Sequence, residues 1–250
     1  MQGKRAVVQA WFWLGGPLAM GVSTVLVVSR ATAWPLSPAG VTLFLAGVMT
    51  AYTFDRWIEC APGRRPAWTL VAAIAGALVG LGAATALPAA KVGLAVALGV
   101  VGLGYRELKK LPLLKTAIIA VAWPVAAVSF SLAPGAPLER TAPVALALTA
   151  LFAAGALLCD FKDIAADARA GVRTAPVLWG AGATAAVAAG LALLGVALAL
   201  GMGRHGLVCA GLALAGLAMC PRVVSRPLLG PILVDGALAL PAVLILTGWA

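Results

Sequence analysis

The sequence predicts an all-α fold: a polytopic membrane bundle of nine transmembrane helices, built as two four-helix pseudo-repeats plus a ninth helix, in a single domain over residues 1–250. Three observations carry that expectation. The chain is 63% hydrophobic and 10% charged, against roughly 45–50% apolar and about 25% charged in soluble domains. Apolar runs of spanning length recur between short polar breaks. The basic residues gather in alternate breaks, as expected of a chain threaded back and forth through a bilayer.

Taken in order, the apolar runs place helices at roughly 7–29, 39–55, 67–86, 90–105, 114–132, 142–160, 175–200, 206–220 and 229–248. The breaks are short, so no soluble appendage is expected. The first helix is long and no small-residue cleavage pattern follows it, so a cleaved signal peptide is not expected either. With nine spans the breaks fall into two sets. One set holds 14 of the 18 Lys and Arg: Lys4, Arg5, Arg56, Arg64, Arg65, Arg106, Lys109, Lys110, Lys115, Lys162, Arg169, Arg173, Arg222 and Arg226. The other holds Arg30, Lys91, Arg140 and Arg204. The positive-inside rule then puts the N-terminus and the first set in the cytoplasm and the C-terminus outside, in the inner membrane if the source is bacterial. The net charge of +10 reads as this topology signal and not as a nucleic-acid-binding surface.

Other chemistries lack material. Cys60, Cys159, Cys209 and Cys220 share no metal-like spacing, and small apolar filler is their ordinary role. The single histidine, His205, lies in a short turn among the outer breaks. A Ser-His-Asp triad or a zinc site is therefore excluded.

The acids are the informative residues. The chain has eight, and three of them, Asp160, Asp163 and Asp167, end one apolar run. Their i, i+3, i+7 spacing predicts one face of a helix, where like charges repel unless a cation sits between them. Mg²⁺ bridging a phosphate is a common answer for hard oxygen ligands. A second acidic break repeats the pattern. Asp55, Glu59, Gly63 and Arg65 align with Asp163, Asp167, Gly171 and Arg173 at a constant offset of 108 residues, which spans four helices. Duplicated halves with the site between them are common in membrane proteins. Each copy offers a carboxylate pair suited to a metal and an Arg suited to a phosphate. The plain alternative is that charged residues at helix ends mark the interface or form structural Asp–Arg pairs.

The segment Asp160 to Gly180 closely resembles the second aspartate-rich motif of the UbiA superfamily of intramembrane prenyltransferases. Asp163 and Asp167 match that family's Asp-x-x-x-Asp pair, and Gly171, Arg173, Thr174 and Pro176 match the tail that follows. The resemblance extends along the chain: nine helices, motifs after the second and the sixth, and a basic loop from Arg106 to Lys115 after the fourth, with Trp123 in the next helix. The first motif departs from the family pattern. Ala51 stands in place of the usual Asn, Asp55 matches, and Glu59 replaces the last Asp.

The resemblance implies an isoprenyl diphosphate held through Mg²⁺ and an isoprenyl group passed to an aromatic or other lipophilic acceptor. It implies catalytic roles for Asp163, Asp167 and Asp55. The metal ligands would come from Asp55, Glu59, Asp160, Asp163 and Asp167, and the diphosphate contacts from Arg65, Arg173 and Lys115. Lys109 and Lys110 are expected to be topology anchors. Asp235, inside the ninth helix, is either a functional acid or a structural partner for a basic side chain. Tyr52 is either an interfacial anchor or a polar substitute for the missing Asn. Two other readings stay open: a membrane terpene cyclase of the same family, and a non-catalytic relative that binds a polyprenyl lipid. A small transporter would place polar residues at mid-membrane, and here they gather at one face.

Overall fold

The computed structural model describes residues 14–60 and 65–249, apart from the Glu59 side chain. The start of the first expected helix, together with Lys4, Arg5, Gly63 and Arg64, lies outside the described residues.

The long helices are α1 (Gly16–Thr32), α2 (Pro38–Glu59), α3 (Ala67–Ala84), α4 (Ala89–Leu108), α5 (Leu114–Ser131) and α6 (Leu138–Cys159). A 3-10 turn, Asp160–Asp163, and a short helix α7 (Ile164–Ala170) follow. Then come α8 (Ala175–Gly201), α9 (His205–Ala218), the one-turn α10 (Pro221–Val224) and α11 (Leu229–Leu246). Among the described residues there is no strand, only an isolated bridge between Leu36 and Leu132. Among the described residues, six helices are long and apolar enough to cross a membrane: α3, α4, α5, α6, α8 and α11. The helix α9 is shorter, the described part of α1 runs from Gly16 to Thr32, and α2 ends in the polar residues Asp55, Arg56 and Glu59.

Proline sets many of the helix starts, because its fixed φ suits the first turn and its missing N–H is not needed there. It occupies the first or second position of α1, α2, α8 and α10 and the cap position of α3, α4 and α6. Ser37 completes the start of α2 by accepting the Gly40 N–H at 3.2 Å.

Hydrogen bonds between links define two ends of the bundle. At one end the α1–α2 and α5–α6 links are joined: Ser37 N–H donates to Ser131 O at 2.7 Å and Ala133 N–H to Pro35 O at 2.8 Å. Lys91 belongs to this end and donates to the carbonyls of Phe130 and Leu132 at 3.2 and 2.5 Å. At the other end Leu113 N–H donates to Arg173 O at 3.1 Å, tying the α4–α5 link to the α7–α8 link. Asp160, Asp163 and Asp167 sit at this second end, the acidic end.

The core lies among α1, α5, α6, α8, α9 and α11, around Val28, Ala127, Val144, Leu151, Leu158, Ala188, Leu214 and Val234. Small residues let the backbones approach. A Cβ on Gly211 of α9 would stand 2.9 Å from Ala192 O of α8. The two halves are unequally packed. The pairs α2–α3 and α6–α8, which the 108-residue offset equates, both pack extensively, as do α8 and α9. The helix α4 instead rests mainly on α5 and has no buried residue. Its glycines Gly93, Gly99 and Gly102 have nothing within 4 Å of where a Cβ would stand.

Candidate functional site

The acidic segment is shaped by a break in its helix. The α-helix ends at Cys159, a 3-10 turn carries Asp160 to Asp163, and α7 restarts at Ile164. The three acids therefore do not share one face of a continuous helix, as the spacing alone predicted. The tighter 3-10 turn changes the angle per residue, so the 3.6-residue register is lost between Asp160 and Asp167. Gly171 then ends α7 with φ 70°, a left-handed cap that glycine adopts without a Cβ clash. Val172 N–H closes this cap on Asp167 O at 2.9 Å. The chain turns back so that Arg173 O reaches the Leu113 N–H. Leu113 itself has φ 60°, an uncommon left-handed conformation for a branched residue, held by that hydrogen bond at the start of α5.

This arrangement places Lys115, in the first turn of α5, between two of the acids. Lys115 Nζ is 2.7 Å from Asp160 Oδ1 and 3.7 Å from Asp167 Oδ2. Thr116 Oγ1 donates to the other Asp160 oxygen at 3.5 Å. Asp160 is only 1% exposed, so its charge is balanced inside the protein by Lys115. Asp163 is partly exposed and pairs with its neighbour Lys162. Asp167 Oδ2 is buried and accepts no hydrogen bond among the described residues. The buried Thr174 hydroxyl lies against Asp167 but outside hydrogen-bonding geometry.

The other predicted residues are placed as follows. Asp55 is half-buried on the last turns of α2. Arg65 donates from Nε to Cys60 O at 3.1 Å and lies 4.5 Å over the Trp57 ring. It thus closes the end of α2 with a carbonyl and an aromatic face. The Arg173 side chain is exposed, while its carbonyl fixes the α5 start. Lys109 lies 5.8 Å over the Tyr105 ring, and Lys110 pairs with Glu107 at 2.6 Å on the surface. Among the described residues, three or more Asp, Glu, His or Cys side chains do not converge as a metal cluster. Among the described side chains of the expected set, Lys115 lies between Asp160 and Asp167 and Asp163 pairs with Lys162, while the Glu59 side chain lies outside the described residues.

Trp123 is the residue whose importance the sequence hid. Its ring meets Phe44 and Tyr52 of α2 edge-on, each at 5.8 Å, and stacks on Phe152 of α6 at 5.3 Å. Its Nε1 donates to Thr24 Oγ1 of α1 at 3.2 Å. One indole therefore joins four helices in the middle of the bundle. The aromatic spacing within each helix gives no sign of this, since the contacts are between helices. Tyr52 also lies within electrostatic range of Cys159, Tyr105 and Asp235. Asp235 of α11 has Arg56 and Lys162 as its electrostatic partners and stands against Gly16. Asp235 is thus within electrostatic range of Arg56 from the first motif and of Lys162 from the second.

The donor set suits a hard cation in a limited way. Asp167 Oδ2 and Thr174 Oγ1 are buried oxygens without hydrogen bonds. Mg²⁺ typically takes one or two carboxylates and completes its shell with water and substrate phosphate, so a larger protein cage is not required.

An all-helical bundle of membrane-crossing helices, with acids and lysine gathered at one end, defines an integral membrane protein with an ionic site at its surface. The chain belongs to the UbiA prenyltransferase family, whose family model matches residues 61–226. A UbiA homologue from Aeropyrum pernix K1, in its apo structure, aligns with a TM-score of 0.66 at 17% identity, over 93% of this chain and 98% of its own. A UbiA homologue from Archaeoglobus fulgidus bound to DMAPP and Mg²⁺ aligns with a TM-score of 0.57 at 15% identity, over 95% and 97%. The same kind of homologue bound to Cd²⁺ gives 0.56 at 15% identity, over 94% and 98%. At these identities the likeness establishes the fold. No curated protein matches the chain.

Proposed function

We propose that the chain is a Mg²⁺-dependent intramembrane prenyltransferase that moves an isoprenyl group from an allylic isoprenyl diphosphate to an aromatic or other lipophilic acceptor. The observation that carries this reading is the buried Asp167 carboxylate oxygen, which lacks a hydrogen bond beside Lys115. Family membership and the DMAPP- and Mg²⁺-bound homologue support it.

In this reading the chain spans the bilayer nine times, with the acidic end in the cytoplasm beside 14 of its 18 basic residues. Asp55, Glu59, Asp160, Asp163 and Asp167 supply oxygen ligands, with Asp55, Asp163 and Asp167 as the catalytic set. Mg²⁺, when bound, would offset the charge of the leaving diphosphate. Lys115 holds Asp160 at 2.7 Å and Asp167 more loosely at 3.7 Å. Its remaining N–H donors would bind the diphosphate, assisted by Arg65 and Arg173 from the two motif loops. The apolar helices would shield the allylic cation from water.

A second reading has its own observation. Lys115 already balances the two acids, and Ala51 removes a polar residue from the first motif. A non-catalytic lipid-binding relative would look like this. One assay separates the readings. Purified protein in membranes is offered isoprenyl diphosphates of several lengths with Mg²⁺, with and without pooled aromatic acceptors. Diphosphate release with prenylated product supports transfer, and release with a cyclic hydrocarbon supports cyclisation. Binding with no release in any arm refutes the enzyme.

A further inference from the structure

The end of the bundle opposite the acids carries a second charged site. A pocket of about 300 Å³ opens where the last turn of α1, the start of α9 and the later half of α11 meet. Its polar lining is Arg30, Arg204 and His205, and its apolar wall includes Val27, Pro241 and Ile245. No carboxylate lines it. Arg204 donates from Nη2 to Ala31 O at 3.0 Å, which holds its guanidinium at the end of α1. Its Nε–H is buried and has no partner among the described residues. Arg30 and His205 are exposed at the rim and form no ion pair among the described residues. The N-cap of α9 is Arg204, and Arg204 to Leu207 line the pocket, so the positive end of that helix lies at it.

These features share a direction. Two guanidinium groups, an imidazole and a helix N-terminus converge with no anion to balance them, beside low-dielectric walls where like charges repel strongly. The charge bias of the chain sharpens the point. Only four of the 18 basic residues fall in the minority set of breaks, and two of those four meet in this pocket. Lys91, a third, is used on the carbonyls of Phe130 and Leu132. The arginine pair has no such employment beyond one bond from Arg204.

We propose that this pocket binds a phosphate group, with the arginine forks and His205 on its oxygens and an attached apolar chain along Val27, Pro241 and Ile245. Arg is the side chain suited to bidentate phosphate binding, and apolar walls beside a cationic rim match an amphiphilic anion. The pocket is at the opposite end of the bundle from Lys115 and Asp167, so it is separate from any diphosphate held there. The phosphate could belong to an anionic lipid or be free in solution.

The test uses the full chain, purified in neutral detergent and stripped of lipid. Thermal unfolding is followed with short-chain phosphatidylglycerol, short-chain phosphatidylcholine, or inorganic phosphate. The expected result is a saturable rise in Tm with phosphatidylglycerol and none with phosphatidylcholine. Arg30→Gln, an exposed substitution, should weaken that response about tenfold, the loss of one charge-assisted hydrogen bond. Arg204→Lys should weaken it too, and helical circular dichroism checks that both variants remain folded. A Tm rise with inorganic phosphate that also depends on Arg30 assigns the site to free anions, whereas a response to phosphatidylglycerol alone assigns it to lipid. Equal responses to the two lipids with none to phosphate would overturn the proposal. So would a phosphatidylglycerol response that Arg30→Gln and Arg204→Lys both leave unchanged.

Discussion

Replacing Asp160 with Asn should destabilise the protein less than replacing Lys115 with Met, although both break the same ion pair. Lys115 Nζ has Asp160 at 2.7 Å and Asp167 at 3.7 Å. At an effective dielectric of about 20 these correspond to attractions of roughly 6 and 4.5 kcal/mol before desolvation is subtracted. Asp160→Asn removes the nearer attraction but leaves Lys115 beside Asp167, so no buried charge is stranded. The net cost should be about 3 kcal/mol, the low end for a broken buried pair. Lys115→Met removes both attractions and leaves two carboxylates facing each other, at a cost of about 5 kcal/mol or more. For a chain of this size each kcal/mol lowers Tm by roughly 2–4 °C. The expected falls are therefore about 6–12 °C for Asp160→Asn and about 10–20 °C for Lys115→Met. The assay is unfolding in detergent, read by fluorescence of the eight tryptophans, with Mg²⁺ and with chelator. Mg²⁺ should restore part of the loss in Lys115→Met, because a divalent cation can take the place of the ammonium. A larger fall for Asp160→Asn than for Lys115→Met would refute the charge argument, and so would a Lys115→Met Tm indifferent to Mg²⁺.

Three further outcomes are expected. Binding of an isoprenyl diphosphate should require Mg²⁺ or Mn²⁺ and disappear with excess chelator; a titration with labelled ligand checks this, and unchanged binding would exclude a metal bridge. Asp163→Asn and Asp167→Asn should each lower turnover by roughly a thousandfold or more, and Glu59→Gln by less, since the second motif matches the family pattern and the first departs from it. Product formation per unit of folded protein measures that ranking. Gly40→Val should lower Tm markedly, because a Cβ at Gly40 would overlap the Phe130 carbonyl, and overpacking against backbone costs about 1–3 kcal/mol or more.

Most of the fold was legible because a bilayer imposes simple rules. Apolar length locates several helix starts well: the expected starts at about 67, 114, 175 and 229 are the observed first residues of α3, α5, α8 and α11. The site was less legible, and the reason is local. A 3.6-residue period cannot foresee that the helix tightens at Asp160, where Asp160 is buried and Asp163 is left partly exposed beside Lys162. Lys115 was legible as a basic residue near the site, but its partner depends on the Leu113–Arg173 hydrogen bond between segments 60 residues apart. Arg65 shows the same limit. Its alignment with Arg173 suggests a phosphate, while the nearby Trp57 ring and Cys60 carbonyl occupy its guanidinium. Trp123 was invisible as a hub because ring contacts between helices leave no mark on sequence spacing.

The helix α4 buries none of its residues within the protein. In the core, trimming a leucine opens a void that neighbours cannot fill, and the loss includes that void. If the exposed face of α4 lies against lipid, the partner of most of its side chains would be a fluid acyl chain, which closes around any new shape. Leu103, 74% exposed, and Val100, 64% exposed, are therefore free to exchange for other aliphatic residues at little cost. The constraint on this stretch is wetness and not shape: one added charge at mid-helix should disturb it more than several methyl groups removed. The latitude ends near Tyr105, where the helix returns to the electrostatic surroundings of Tyr52 and Lys115, so drift along the lipid face need not reach the ionic end.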